Sequence, residues 1–231
     1  SQLISLSEKI QLINYLPNSK YKENYIIGTG LNSLSDTINL MKISKTLNFY
    51  KFLIMPPAYY KYSDEDVINF YTRIINEIGE CNIILYNFEK LSGYKFSIDC
   101  VKKLAEKFPK QIVGVKDSSY NLYEKLKIND FSVMPGSEAK LLKGLELGCS
   151  GIITATTNVT AYLARQVYDN FFSKSRQDSN KKLCDVRAAF EKYNLISGLH
   201  SFMSEKNEIY KNILPPLKLL SETDKKELFS N

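Results

Sequence analysis

Lys116 closes an apolar run, Ile112-Val-Gly-Val-Lys116, and is followed at once by the small polar residues Asp117-Ser118-Ser119. Lysine seldom ends a buried parallel strand unless its head finds solvent or a partner. A desolvated amine in that position has its pKa drawn from about 10.4 toward about 7–8, so a usable fraction is neutral near pH 7. Such an amine condenses with a ketone to give a Schiff base, which then acts as an electron sink. The plainer alternative is a snorkelling lysine at a strand end. Tyr86 ends a second apolar run, Asn82-Ile-Ile-Leu-Tyr86, with Asn87 after it. A phenol aimed into the same mouth can shuttle protons to and from an imine nitrogen and a substrate carbonyl. With 16 tyrosines in the chain, ordinary packing competes with that role. Tyr59 and Tyr60 follow Pro56-Pro57 at the end of another apolar run and read either as lid aromatics or as packing.

Other chemistries find less support. The single histidine, His200, argues against a histidine-rich metal site or a Ser-His-Asp triad, and its helical surroundings suggest a packed or surface residue. Cys81, Cys100, Cys149 and Cys184 are far apart, form no CxxC pair and read as reduced thiols packed as small apolar groups. Gly28-Thr-Gly-Leu-Asn32 lacks the glycine spacing of a dinucleotide site and the Lys-Ser/Thr of a P-loop, so tight βα turns explain it, as they do Gly136 and Gly148–Gly151. The net charge of +6 comes from lysines scattered among acidic residues, which suits anionic small molecules and gives no nucleic-acid stripe. No apolar run approaches the roughly 20 residues of a membrane span. The opening SQLISLSEKIQLI reads as a capped amphipathic helix and not as a secretory leader, so the cytoplasm is the expected location.

The elements that must position Lys116 and Tyr86 alternate. Strand candidates are 25–29, 51–55, 82–86, 112–116, 131–134 and 151–154, each apolar enough for a parallel strand covered on both faces. Helix patterns lie between them at 35–47, 63–78, 97–108, 120–126 and 138–147, several opened by a Ser or Asp cap such as Ser63 and Ser97. From about Ala161 strand signals stop, and 167–172, 181–204 and 222–229 read as helix, with Pro215-Pro216 breaking the last connection. The βα order fits either an α/β barrel or a doubly wound sheet. On a parallel barrel the carboxyl ends of the strands, where Lys116 and Tyr86 stand, are where active sites are built.

Read together, GTGLNS (28–33), PPAYY (56–60), LYNFEKLSG (85–93), GVKDSS (114–119), PGSE (135–138), GLELGCSGIITATTNV (144–159) and LPPLKLLSE (214–222) resemble the dihydrodipicolinate synthase / N-acetylneuraminate lyase family of class I pyruvate aldolases. The resemblance runs over essentially the whole chain, in the family's order. It implies a (β/α)₈ barrel in homotetrameric or homodimeric assembly, with residues 1–165 carrying strands 3–8 and 166–231 forming a C-terminal helical region. The family's first two βα units, with the Gly-Thr/Ser-Thr-Gly-Glu segment that holds the pyruvate carboxylate, are expected before Ser1 and are missing from this chain. Pyruvate would form an imine with Lys116, Tyr86 would relay protons, and Tyr59 or its neighbour would extend the relay across a subunit interface. No metal or organic cofactor is implied, and neither is a nucleic-acid or membrane partner. The backbone of Gly151–Ile153 would line the pyruvate pocket together with Gly136. Leu91 stands where the synthases carry a carboxylate-binding arginine, and Glu138 followed by Ala139 departs from the acidic pair of the sialic acid lyases. The expectation is therefore a 2-keto-3-deoxy-sugar-acid or 4-hydroxy-2-oxoglutarate type aldolase, with Ser118 and Glu138 on the aldehyde portion. Dihydrodipicolinate synthase itself and a non-catalytic keto-acid-binding barrel are the alternatives.

Overall fold

Serine caps start most of the early helices. In the computed structural model, which describes residues 2–230, α1 (Leu6–Tyr15) and α3 (Asp64–Ile78) open with capping boxes: Ser5 pairs reciprocally with Glu8, and Ser63 with Asp66. Ser33 and Ser97 cap α2 (Leu34–Thr46) and α5 (Ile98–Lys107) by accepting the backbone N–H three residues on. Each such cap satisfies an N–H that the first helical turn leaves unpaired.

Between these helices lie β1 (Ile27–Gly28), β2 (Lys51–Ile54), β3 (Asn82–Asn87), β4 (Ile112–Asp117) and β5 (Ser132–Pro135), in a sheet whose spatial order follows the chain. The pairs β1–β2, β2–β3 and β3–β4 are parallel, as the near-continuous apolar runs require of strands buried on both faces. Phe52, Ile54, Ile83, Leu85 and Val115 have no exposed surface. α4 (Glu89–Ser92) is a single turn closed by Gly93 in the left-handed conformation, φ +75°, whose N–H returns to the Glu89 carbonyl.

The backbone divides into two compact units between Val133 and Met134. The second unit holds α6 (Leu141–Glu146), α7 (Thr157–Phe172), α8 (Asp178–Glu191), α9 (Leu195–Ser204) and α10 (Glu222–Ser230). Leu141, Leu145, Val167 and Leu183 form one of its apolar clusters, and Ala189, Phe190, Leu199 and Leu228 another. A division at residue 165, suggested by the sequence, falls inside α7.

Some elements differ from the sequence pattern: the helix read over 167–172 begins at Thr157 and the strand read over 25–29 shrinks to Ile27–Gly28, while three others change in kind. Residues 120–126 are not helical, because the buried Asp117 carboxylate takes the N–H groups of Tyr120, Leu122 and Tyr123 into a loop. Residues 151–154 form no strand; Ile153 N–H donates to the Pro135 carbonyl at 3.2 Å. The helix read over 181–204 breaks at residues 192–194, where the Asn194 side chain accepts from Ile196 and Ser197 and restarts the chain as α9.

Candidate active site

Tyr86 and Lys116 face each other because of a bulge. Ile83 pairs with Ile112, but Ile84 pairs with Gly114, so Val113 is an extra residue on β4. Had the first register continued, Tyr86 would stand opposite Val115, with Lys116 on the other face of the sheet. The shift instead pairs Tyr86 with Lys116 and Asn87 with Asp117. Gly114 permits the local approach: a Cβ there would lie 2.6 Å from the Ser132 carbonyl oxygen, so no larger residue fits without displacement.

At the carboxyl ends of β3 and β4 the Lys116 Nζ lies 4.0 Å from the centroid of the Tyr86 ring, within cation–π range. Both residues are half-buried. The Tyr86 ring also stacks with Phe88, centroids 6.0 Å apart at 29°. Burial pushes the Tyr86 phenol above its usual range; a hydrogen bond with the Ser118 hydroxyl pulls the other way, and the nearby Tyr120 phenol pushes up again. A neutral phenol beside an amine can lend a proton and take one back, which suits a relay more than a standing base.

Sequence reasoning missed what lies behind this pair. Successive strand residues point to opposite faces, so Asn87 and Asp117 turn away from Tyr86 and Lys116; both are fully buried. Asn87 Nδ2 donates to Asp117 Oδ1 and to Asn121 Oδ1, each at 2.8 Å, and Asn87 Oδ1 accepts the Phe96 N–H. The signal was present: each of two apolar strands ends in a reactive residue followed by one short polar residue. Tyr59 and Tyr60 are 89% and 66% exposed with their rings edge to face, and Tyr59 holds φ +92°. Leu91, on α4, is half exposed.

Gly136, Glu138 and Ile153 belong to the second unit. Glu138, expected on the aldehyde portion, has no exposed surface. Its carboxylate accepts from the Thr154 hydroxyl at 2.9 Å on both oxygens and from Thr160 at 3.2 Å, and it pairs with Arg187 Nη1 at 3.2 Å. Arg187 Nη1 also reaches Thr156 Oγ1 at 2.9 Å, while its Nε bonds Glu191. Arg187 was legible in retrospect, since it stands with Leu183 and Phe190 on the buried stripe of α8. Among the described residues no group of three or more His, Cys, Asp or Glu is placed to hold a metal ion. Among those residues, too, no helix is long and apolar enough to cross a membrane.

A comparison with family profiles matches the dihydrodipicolinate synthetase family over residues 1–231. The chain belongs to this family. Its members are carbon–carbon lyases of the aldolase kind, and this family enzyme has the α/β fold of their (β/α)₈ barrels, with five strands of one sheet among the described residues and a C-terminal helical extension. A 2-dehydro-3-deoxy-D-gluconate/2-dehydro-3-deoxy-phosphogluconate aldolase of Picrophilus torridus is 26% identical over 220 residues, covering 92% of this chain and 81% of that protein. A 4-hydroxy-tetrahydrodipicolinate synthase of Karelsulcia muelleri is 28% identical over 237 residues, covering 98% of this chain and 79% of the other. Among solved structures, the 4-hydroxy-tetrahydrodipicolinate synthase of Methylacidiphilum fumariolicum SolV superposes with a TM-score of 0.87 at 20% identity, covering 98% of this chain and 78% of that one.

Proposed function

We propose that this family enzyme is a pyruvate-dependent class I aldolase in which Lys116 carries the Schiff base. One observation supports this above all: the Lys116 amine lies 4.0 Å from the Tyr86 ring centroid, on paired residues at the carboxyl ends of two parallel strands. The amine attacks the keto carbon and the carbonyl oxygen leaves as water, giving an iminium. A proton passes from the substrate hydroxyl through Tyr86, the carbon–carbon bond breaks toward the iminium, and an aldehyde departs. The enamine left on Lys116 is protonated and hydrolysed to pyruvate. The iminium is itself the electron sink, so the scheme calls on no metal or organic cofactor.

The proposed substrates are 2-keto-3-deoxy sugar acids or 4-hydroxy-2-oxoglutarate. In support, the Picrophilus relative is named for such an acid, and apolar Leu91 occupies the synthases' arginine position. Ser118, two residues beyond Lys116, would meet the aldehyde portion. Tyr59, exposed and held at positive φ, would extend the relay across an interface of a cytoplasmic homotetramer or homodimer. A second reading, condensation of pyruvate with aspartate semialdehyde, draws on the synthase name of the Karelsulcia relative.

Incubation with pyruvate and sodium borohydride should add one reduced pyruvate, mapped by peptide mass to Lys116, and Lys116→Ala should abolish both labelling and turnover. Absence of any adduct discards the Schiff-base scheme. Pyruvate formation from a panel of keto-deoxy acids, against pyruvate consumption with aspartate semialdehyde, separates the two substrate readings.

A further inference from the structure

We propose that Asp117 is a positioning residue for the reaction: its buried carboxylate, tied to Asn87 and to three backbone N–H groups, holds the Lys116 amine and the Tyr86 phenol opposite each other. This inference rests on the Schiff-base reading above. Four donors converge on the carboxylate. Asn87 Nδ2 (2.8 Å) and Tyr120 N–H (2.9 Å) reach Oδ1, while Leu122 and Tyr123 N–H reach Oδ2, each at 2.9 Å. Asp117 has no exposed surface, so solvent cannot replace any of them, and the residue points away from the face that bears Lys116.

The arrangement bolts both strand ends just past the reactive pair. Across β3 and β4, the Asn87–Asp117 bond lies one residue beyond the Tyr86–Lys116 pairing. The Ser118 N–H continues the ladder to the Asn87 carbonyl at 2.8 Å, which fixes the residue whose hydroxyl bonds the Tyr86 phenol. Asn87 is anchored in turn by Asn121, whose Nδ2 donates to the Phe96 carbonyl at 2.9 Å. The three backbone bonds keep residues 118–123 out of a helix, with Tyr120 at φ +58°, a conformation that a bulky residue adopts only when its surroundings impose it. Proton transfer needs heavy atoms to come within hydrogen-bond reach, so a slip of one strand end against the other, which moves the Tyr86 ring relative to the Lys116 amine, would disturb the relay.

Asp117→Asn keeps the shape and turns one acceptor into a donor facing N–H groups. In the folded variant kcat should fall about 100-fold, the scale of a displacement near 1 Å, and the pH profile of kcat should shift, while pyruvate and borohydride still label Lys116 to completion. Asn121→Ala spares all four bonds to Asp117 and removes one anchor of Asn87; a smaller kcat loss of roughly 3–10-fold with KM unchanged is expected from a lesser displacement. Should Asp117→Asn not fold, Asn121→Ala decides alone. Folded variants with kcat and pH profile like the wild type overturn the proposal, as does activity lost only in proportion to folded protein. A wild-type enzyme that pyruvate does not label sinks the Schiff-base reading and this proposal with it; labelled wild type with indifferent variants sinks this proposal alone.

Discussion

Arg187→Met is the sharpest stability test of the second unit. The guanidinium is the charged partner of Glu138, and the pair is nearly dry, with side-chain exposures of 10% and 0%. Removing the arginine leaves a carboxylate in the interior with only the Thr154 and Thr160 hydroxyls. Breaking a buried pair from one side costs about 3–5 kcal/mol, a large share of a total stability of about 5–15 kcal/mol. With a urea slope of about 2 kcal/mol per molar, that is a fall in midpoint of roughly 1.5–2.5 M. Glu138→Gln combined with Arg187→Met removes both charges and should recover most of the loss, because uncharged replacements of a buried pair are often close to neutral. Glu191→Gln is the control: its half-exposed bond to Arg187 Nε should be worth less than about 1 kcal/mol. Urea unfolding followed by circular dichroism measures all four proteins. A single variant within about 1 kcal/mol of wild type, or a double variant as unstable as the single, refutes the claim that this pair is desolvated and coupled.

Other outcomes follow from the same contacts. Gly114→Ala places a Cβ 2.6 Å from the Ser132 carbonyl oxygen; a loss of about 1–3 kcal/mol in urea unfolding is expected from the overpacking, with reduced turnover because the bulge beside it sets the register of Lys116. The phenols of Tyr71, Tyr94 and Tyr86 are all pushed up, chiefly by burial. The fold favours their neutral forms, so their contribution is complete below the usual phenol range near about pH 10 and is lost as pH rises above it. Phenolate absorbance should therefore show these three lagging the exposed tyrosines until alkaline unfolding; simultaneous titration of every tyrosine near pH 10 contradicts the packing. Burial raises the Cys81 and Cys100 thiols to about 11, so iodoacetamide at neutral to mildly alkaline pH should spare both until denaturant is added. Prompt labelling of either in the folded protein would show that it is not enclosed.

Much of the architecture was legible along the chain because it depends on neighbours in sequence. Apolar runs marked β2 to β5 within a residue or two, and Ser63 and Ser97 announced α3 and α5, since a cap and its N–H are three residues apart. The segment at 120–126 misled for the opposite reason. Its helical spacing is genuine, but a carboxylate from the preceding strand claims its N–H groups, and no local pattern records that competition. The surroundings of Glu138 were equally silent in the sequence: its partners Arg187 and Thr154 stand 49 and 16 residues away along the chain.

Residue types alone determined that an amine and a phenol stand at the ends of two parallel strands, because strand-forming runs and their polar terminators are written consecutively. Whether those groups meet was decided only in three dimensions. The one-residue bulge at Val113 sets Tyr86 across from Lys116 instead of Val115, and period-2 alternation makes that single residue the difference between one face of the sheet and the other. Pairing register is a long-range choice, settled here by the close approach at Gly114 and the buried Asn87–Asp117 bond, contacts between residues about 20 to 30 positions apart.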